Sequence, residues 1–168
     1  MPNVRVEPRA EHASASRRSD LSETAAHRCE RYRRELMLPA VLDQDMTLIV
    51  IPLSARVSSV TAPTKLATAA FGRLTARAQL GPVIAHPRTA RSMFLTTSPS
   101  APVTDDSLLV RLSVTIGGRI AILPSPADER AGRRHWVMAP SLIGLPRTEA
   151  VLAALVETAN SGQRGGGH

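Results

Sequence analysis

Met46-Thr47-Leu48-Ile49-Val50-Ile51-Pro52 (MTLIVIP) opens the longest apolar run of the chain, which ends at Leu53. A strand covered on both faces is apolar at successive positions instead of alternating, so this run reads as a central β-strand. Spanning a bilayer takes about 20 apolar residues, which excludes the run as a membrane segment. The next stretch, Arg56 to Thr61 (RVSSVT), is β-branched and is expected to pair beside it as the adjacent strand. Pro63 then opens a helix over 64–78, because proline suits the first helical turn. Leu66, Ala70, Phe71, Leu74 and Ala78 fall on its inward stripe.

Upstream of this core, residues 1–19 (MPNVRVEPRAEHASASRRS) lack apolar periodicity and read as a disordered arm. Asp20 followed by Glu23 resembles a capping box. A helix is expected from Leu21 to Met37, with Leu21, Ala25, Cys29, Tyr32 and Leu36 on one stripe, ended by Pro39. Downstream, Gly81-Pro82 marks a turn, and 83–86 and 92–97 read as short strands. Thr104-Asp105-Asp106 reads as the cap of a helical turn reaching Val110. Leu112 to Ile116 and Arg119 to Leu123 flank Gly117-Gly118 and are expected to form a tight hairpin. Pro124 to Arg134 reads as a polar loop, 147–160 as an amphipathic helix with Val151, Leu155 and Ala159 on one side, and 161–168 as a flexible tail. Hairpins mixed with separated helices predict an α+β fold, one domain over 20–160.

Of the 168 residues 43% are apolar but only 2% aromatic, so the core is aliphatic. The single cysteine, Cys29, forms no internal disulfide, has no CxxC partner for zinc, and reads as a small buried hydrophobe. The polar start, Met1 to Ala10, has no apolar signal region behind it, and the chain reads as a cytoplasmic protein with no membrane partner.

The net charge of +7 is unevenly placed. Residues 1–45 hold eight acids and eight arginines, whereas 46–168 hold 13 basic and six acidic residues, and the stretch 46–104 contains no Asp or Glu at all. Paired acids for magnesium or for acid–base chemistry are therefore missing from the core. A solvated basic face and a surface facing a polyanion are both consistent with that pattern. The histidines His12, His27, His86 and His135 stand at no metal-binding spacing, and GxSxG is absent. In Arg130-Ala131-Gly132-Arg133-Arg134-His135-Trp136 a guanidinium cluster lies beside the only tryptophan. The indole could stack a base, or it could close the sheet as a packing residue.

Taken in order, Leu48-Ile49-Val50-Ile51-Pro52, the extended Val57 to Pro63, Gly81-Pro82-Val83, Arg91-Ser92-Met93-Phe94, Gly117-Gly118 leading to Leu123-Pro124-Ser125, and Gly132 with Trp136 make a series. Over residues 46–140 this series resembles the bifunctional DNA primase/polymerase N-terminal domains of the archaeo-eukaryotic primase superfamily, in their small actinobacterial form. The resemblance implies a primase/polymerase-like core, a mostly antiparallel sheet with flanking helices, its N-terminal part reduced to one helix and a polar arm. In that family a pair of acids, a third acid and a histidine hold metals and nucleotide phosphates. The paired acids fall here on Ser58 and Thr61, the histidine on Ser92 and the third acid near Ser113. None of these can hold a hard cation as a carboxylate does. The resemblance thus implies a catalytically degenerate domain with no metal and no cofactor. If the four positions descend from one metal centre, their side chains share one sheet face.

The reading that follows is nucleic-acid binding, DNA before RNA, through Arg88, Arg91, Arg133 and Arg134 with Trp136 beside them. The alternative is a protein-interaction or regulatory module in which the 20–37 or 147–160 helix meets a partner or a second copy in a homodimer. A third reading is an active enzyme using Asp43, Asp45, Asp105 or Asp106.

Overall fold

The computed structural model describes residues 23–164, except 44, 46, 102–105, 142 and 143. The expected arm, the Asp20 cap, the Thr104-Asp105 cap and the last four residues lie outside the described residues. Among the described residues there are eight strands: β1 (Val41–Leu42), β2 (Ile49–Pro52), β3 (Val57–Pro63), β4 (Val83–His86), β5 (Arg91–Thr97), β6 (Thr115–Ile116), β7 (Ile120–Leu123) and β8 (His135–Met138). They are interleaved with helices α1 (Ala25–Arg34), α2 (Thr64–Ala76), α3 (Asp106–Arg111), α4 (Pro126–Arg130) and α5 (Thr148–Arg164). The fold is α+β, with two antiparallel sheets ordered β1-β2-β7 and β6-β3-β5-β4-β8.

The apolar run is a central strand, as its composition requires, but of the smaller sheet. The β-branched segment after it is not its neighbour: β3 lies in the larger sheet between β5 and β6. The expected Gly117-Gly118 hairpin is likewise absent, since β6 pairs with β3 and β7 pairs with β2. Both corrections have one cause. β2 and β3 together run antiparallel to β6 and β7, with Pro52 opposite Ile120 on one side of a corner and Val60 opposite Ile116 on the other. At the corner the ladder passes from one sheet to the other, and the β2–β3 side carries four more residues than the β6–β7 side. The inner turn of this bend is Gly117-Gly118, with φ of 72° and 133°. Only glycine reaches the second value without strain. The corner is closed by Leu53 N–H donating to the Arg119 carbonyl (3.0 Å), Gly117 N–H to the Ser59 carbonyl (2.8 Å) and Ser54 N–H to the Val57 carbonyl (2.9 Å).

Bending the ladder stacks one sheet on the other. Ile49, Ile51, Ala121 and Leu123 of the small sheet meet Val57, Ile84, Met93 and Leu95 of the large one, and Cys29, Tyr32 and Leu38 close this core from the α1 side. The far face of the large sheet, with Val60, Ala62, Val83 and Phe94, is covered by Ala67, Ala70 and Leu74 of α2 and by Val151, Ala154 and Leu155 of α5. Alternation along β3 feeds both cores, which explains why the strand lacks a polar face. The few aromatics are placed where one ring fills most space. Phe94 is fully buried and meets Phe71 edge-on at 6.2 Å between centroids.

The helices depart from the expected boundaries at several points. α1 starts at Ala25 because Thr24 caps it, its Oγ1 accepting from the His27 N–H at 3.2 Å. Glu23, outside the helix, ion-pairs with Arg28 and Arg31. The polar stretch 124–134 contains α4, opened by a complete capping box between Ser125 and Asp128. α5 continues to Arg164, into the stretch expected to be tail. Ala78, expected inward on α2, lies beyond its end, exposed and at φ 51°.

Two glycine-to-alanine changes should move stability in opposite directions. Gly118→Ala forces a side chain into the corner's positive-φ backbone and should cost about 2 kcal/mol. Gly72→Ala, inside α2 with open space around its Cα, should stabilise by about 0.5–1 kcal/mol. Urea denaturation of both variants checks the pair. Equal effects would mean that the corner does not depend on its glycine.

Candidate nucleic-acid interface

β4 and β5 form a hairpin whose connection is a 3-10 turn at Pro87–Thr89, followed by Ala90 at φ 51°. Closing this turn sets His86 opposite Arg91, Ala85 opposite Ser92 and Ile84 opposite Met93. On the other side of β4, Ile84 is opposite Trp136 and Ala85 opposite His135, so the chain brings Arg134 towards His86 one step further on. Side chains two apart on a strand share a face. Met93, Ile84 and Trp136 thus form a row against the inter-sheet core, and Arg91, His86 and Arg134 form the next row at its rim. Arg88 is exposed on the adjoining 3-10 turn.

The arginines of this rim are held in different ways. One Arg91 terminal nitrogen donates to the carbonyls of Thr61 (3.0 Å) and Ser113 (2.7 Å), which fixes the guanidinium across β3 and the turn after α3. Arg133 Nε and an Arg134 terminal nitrogen donate to the two carboxylate oxygens of Asp128, at 2.8 and 2.7 Å. Asp128 is 1% exposed, and its side chain also accepts from the Ser125 hydroxyl (3.1 Å). Burial alone would raise its pKa. The bond from Arg133, the charge of Arg134 and the bonds from Ser125 outweigh burial and hold the carboxyl below its usual range. His86 moves the other way for a cation: burial first, then the Arg134 charge, push its pKa down, with Asp128 opposing. An imidazole so placed is neutral at pH 7.

The sequence expectations are corrected at several points. Arg133 and Arg134, expected to face phosphates, both donate to Asp128, because the loop that carries them wraps the capped end of α4. Trp136, expected to be either a stacking or a packing residue, packs. Its Nε1 donates to the Tyr32 hydroxyl at 2.8 Å and its ring meets Tyr32 edge-on at 5.9 Å, while that hydroxyl donates to the Pro124 carbonyl at 2.8 Å. The indole is half-buried against the inter-sheet core with its N–H edge on Tyr32, so it is a packing residue and leaves the candidate site.

The four alcohol positions do not share a sheet face. Ser58 and Thr61 are three residues apart on one strand, so alternation sends them to opposite faces. Ser58 lies opposite Thr96 on the helix-covered face, and Ser92, opposite Ala62, lies on that same face four residues along the ladder, about 13 Å away at strand rise. The Ser92 hydroxyl is within hydrogen-bond distance of the Thr64 hydroxyl, at 3.1 Å. Ser113 sits at φ 53° in the turn after α3. As a set they are not the remnant of a single metal centre. Among the described residues no group of three or more His, Cys, Asp or Glu side chains is placed to hold a metal ion.

Two residues of the site were missed from sequence, His86 and Asp128. The hairpin count from Val83 to Thr97 contained the signal for His86, since closing it over 87–90 sets His86 against Arg91. Asp128 was discoverable from Ser125-Pro126-Ala127-Asp128, a capping box with proline at the first helical position. No family model, curated protein or solved structure matches the chain. The reading of the site therefore rests on its own geometry.

Asp128→Asn leaves Arg133 and Arg134 without their charged acceptor and weakens the α4 cap. It should cost about 2 kcal/mol at pH 7, the scale of a hydrogen bond to a charged group. A carboxyl whose folded pKa is depressed stabilises the fold above its unfolded value, near pH 4, and that contribution fades as pH falls through the folded value. The gap between the two proteins should thus narrow as pH falls below about 4. Denaturation midpoints across that range check it, and a gap unchanged at pH 2 would show that the carboxylate charge is not what stabilises this loop.

Proposed function

We propose that this domain binds nucleic acid through the rim Arg91–His86–Arg134, with Arg88 beside it, acting in the cytosol without nucleotidyl-transfer chemistry of its own. The observation that carries this reading is the strand register. It sets the backbone of Arg91 against His86 and brings Arg134 towards it, on a rim where Asp128 is already shared by Arg133 and Arg134. Two guanidinium charges on one carboxylate leave a net positive charge, and Asp128 fixes both without cancelling them. Guanidinium groups held in place lose less conformational freedom on meeting a phosphate than free ones. The primase/polymerase resemblance offers an ancestry for such a domain, but the reading does not depend on it, and the dispersed alcohol positions lend that ancestry no support.

Backbone contacts by three or four cations predict a salt dependence of slope about −3 in log K against log salt on duplex DNA. Arg88→Ala, on the exposed turn, should reduce that slope by about 1 without altering thermal stability. Fluorescence anisotropy with a short oligonucleotide between 25 and 200 mM salt measures both; absence of binding at the lowest salt, or binding indifferent to salt, would rule the reading out. Primer extension with magnesium or manganese should give no incorporation above background, and incorporation would restore the active-enzyme reading.

A further inference from the structure

Pairing divides the cations of this chain into two sets. The arginines of α1, with Arg73, Arg77, Arg133, Arg134 and Arg147, each have a carboxylate within ion-pair distance. Among the described residues Arg56, Lys65, Arg88, Arg91, Arg111 and Arg119 have none. The cause lies in the sequence, since 46–104 and 107–127 both lack Asp and Glu, and the sheets pair the two stretches through β3 with β6 and β2 with β7. The unpaired cations are grouped at the two ends of β3. At one end Arg91 stands opposite Pro63, and its guanidinium reaches across β3 to the Thr61 and Ser113 carbonyls, which hold it without neutralising it. Arg88 is on the adjoining turn, Lys65 follows Thr64, whose N–H donates to the Ala90 carbonyl at 2.9 Å, and Arg111 precedes Ser113 by two residues. At the other end the corner carries Arg56 on its outer segment and Arg119 on its inner one, both exposed. Between the ends β6 is the edge of the large sheet, and Thr115, Gly117 and Gly118 along it are exposed and uncharged. The ladder from Pro63 to Val57 makes this edge about 20 Å long. Lys65 lies in the first turn of α2, which holds no acidic residue. The helix dipole favours an anion there, so helix stability does not account for the lysine.

Resting on the nucleic-acid reading above, we propose that the footprint runs from Arg88 and Arg91 along the β6 edge to Arg56 and Arg119, and that its ligand is the phosphate backbone of a duplex, bound without regard to sequence. Phosphates of one strand follow at about 3.4 Å along the duplex axis, so an edge of about 20 Å matches about six base pairs. A single strand is the poorer fit, because its unpaired bases call for aromatic platforms. Tyr32 and Phe94 are buried, Phe71 meets Phe94 and Trp136 meets Tyr32, which leaves no aromatic ring for this edge.

A labelled DNA duplex of about twelve base pairs, about 40 Å long, reaches from the rim past the corner. On it the two corner arginines should add about 2 to the salt slope of about −3 that the rim gives by itself. Arg56→Gln combined with Arg119→Gln should remove that increment and leave the thermal midpoint in place. Lys65→Gln should reduce the slope by about 1 yet raise the thermal midpoint, because it relieves the charge at the start of α2; a purely structural lysine would not separate the two. A single strand of equal length should bind more weakly than the duplex, and two duplexes of unrelated sequence should bind alike. If the corner double variant and Lys65→Gln keep the full slope while Arg88→Ala still lowers it, the track along β6 is wrong and the rim reading stands. Tighter binding of the single strand overturns the duplex assignment. If no oligonucleotide binds at low salt, track and rim fall together.

Discussion

The bend in the ladder is the constraint from which the remainder of the structure follows. β2 and β3 could have continued straight against β6 and β7 as one flat two-stranded ribbon, with one row of apolar side chains facing solvent. Four extra residues on one side, 53–56, and two glycines at positive φ on the other turn the ribbon through a corner, so its halves become parts of two stacked sheets. Stacking hides Ile49, Ile51, Ala121 and Leu123 against Val57, Met93 and Leu95. At about 25 cal/mol per Å² of apolar surface removed from water, that burial far exceeds what the three corner hydrogen bonds contribute. Those bonds decide where the bend occurs, and the apolar faces supply the stabilisation.

The second organising element is electrostatic and local. Arg28 is 5% exposed, and burial alone would disfavour its charge. Its bond to Glu23 at 2.6 Å, and Glu129 at 3.1 Å, more than restore it. Glu129 and Asp128 are successive residues of α4, so one short helix holds Arg28 of α1 on one side and Arg133 and Arg134 on the other. The Tyr32–Trp136 contact runs beside this arrangement and joins α1 to β8. A five-residue helix has little stability of its own. Here its capping box and three arginine partners fix it, and it in turn fixes the start of β8.

Much of this was legible in the sequence, and the part that was not has a definite physical origin. The apolar run, the proline-initiated helix and the strands 83–86 and 92–97 follow from periodicity and propensity, which are properties of neighbouring residues. The partners of β2 and β3 do not. A short connection between two β-branched segments is as compatible with a corner as with a hairpin, and the choice is made by β6 and β7, some sixty residues away. At the site, arginine-rich composition singled out 133–134 but not the state of those side chains, since their partner Asp128 lay in a stretch read as loop. Trp136 shows the same limit: an indole beside arginines has the composition of a stacking platform, and Tyr32, a hundred residues earlier, decides that it packs.

The rim and the core are linked by parity. On β4, β5 and the segment entering β8, the positions that point into the inter-sheet core are Ile84, Met93 and Trp136. The next positions on that face are His86, Arg91 and Arg134. Any slip in register would move charged side chains towards the core and apolar ones to the helix side, at a free-energy loss exceeding the net stability of a domain this size. The backbone positions of these three residues are therefore aligned by the same packing that makes the strands pair. That alignment needs no ligand to organise it, and the proposed phosphate contacts start from positions the fold has already fixed.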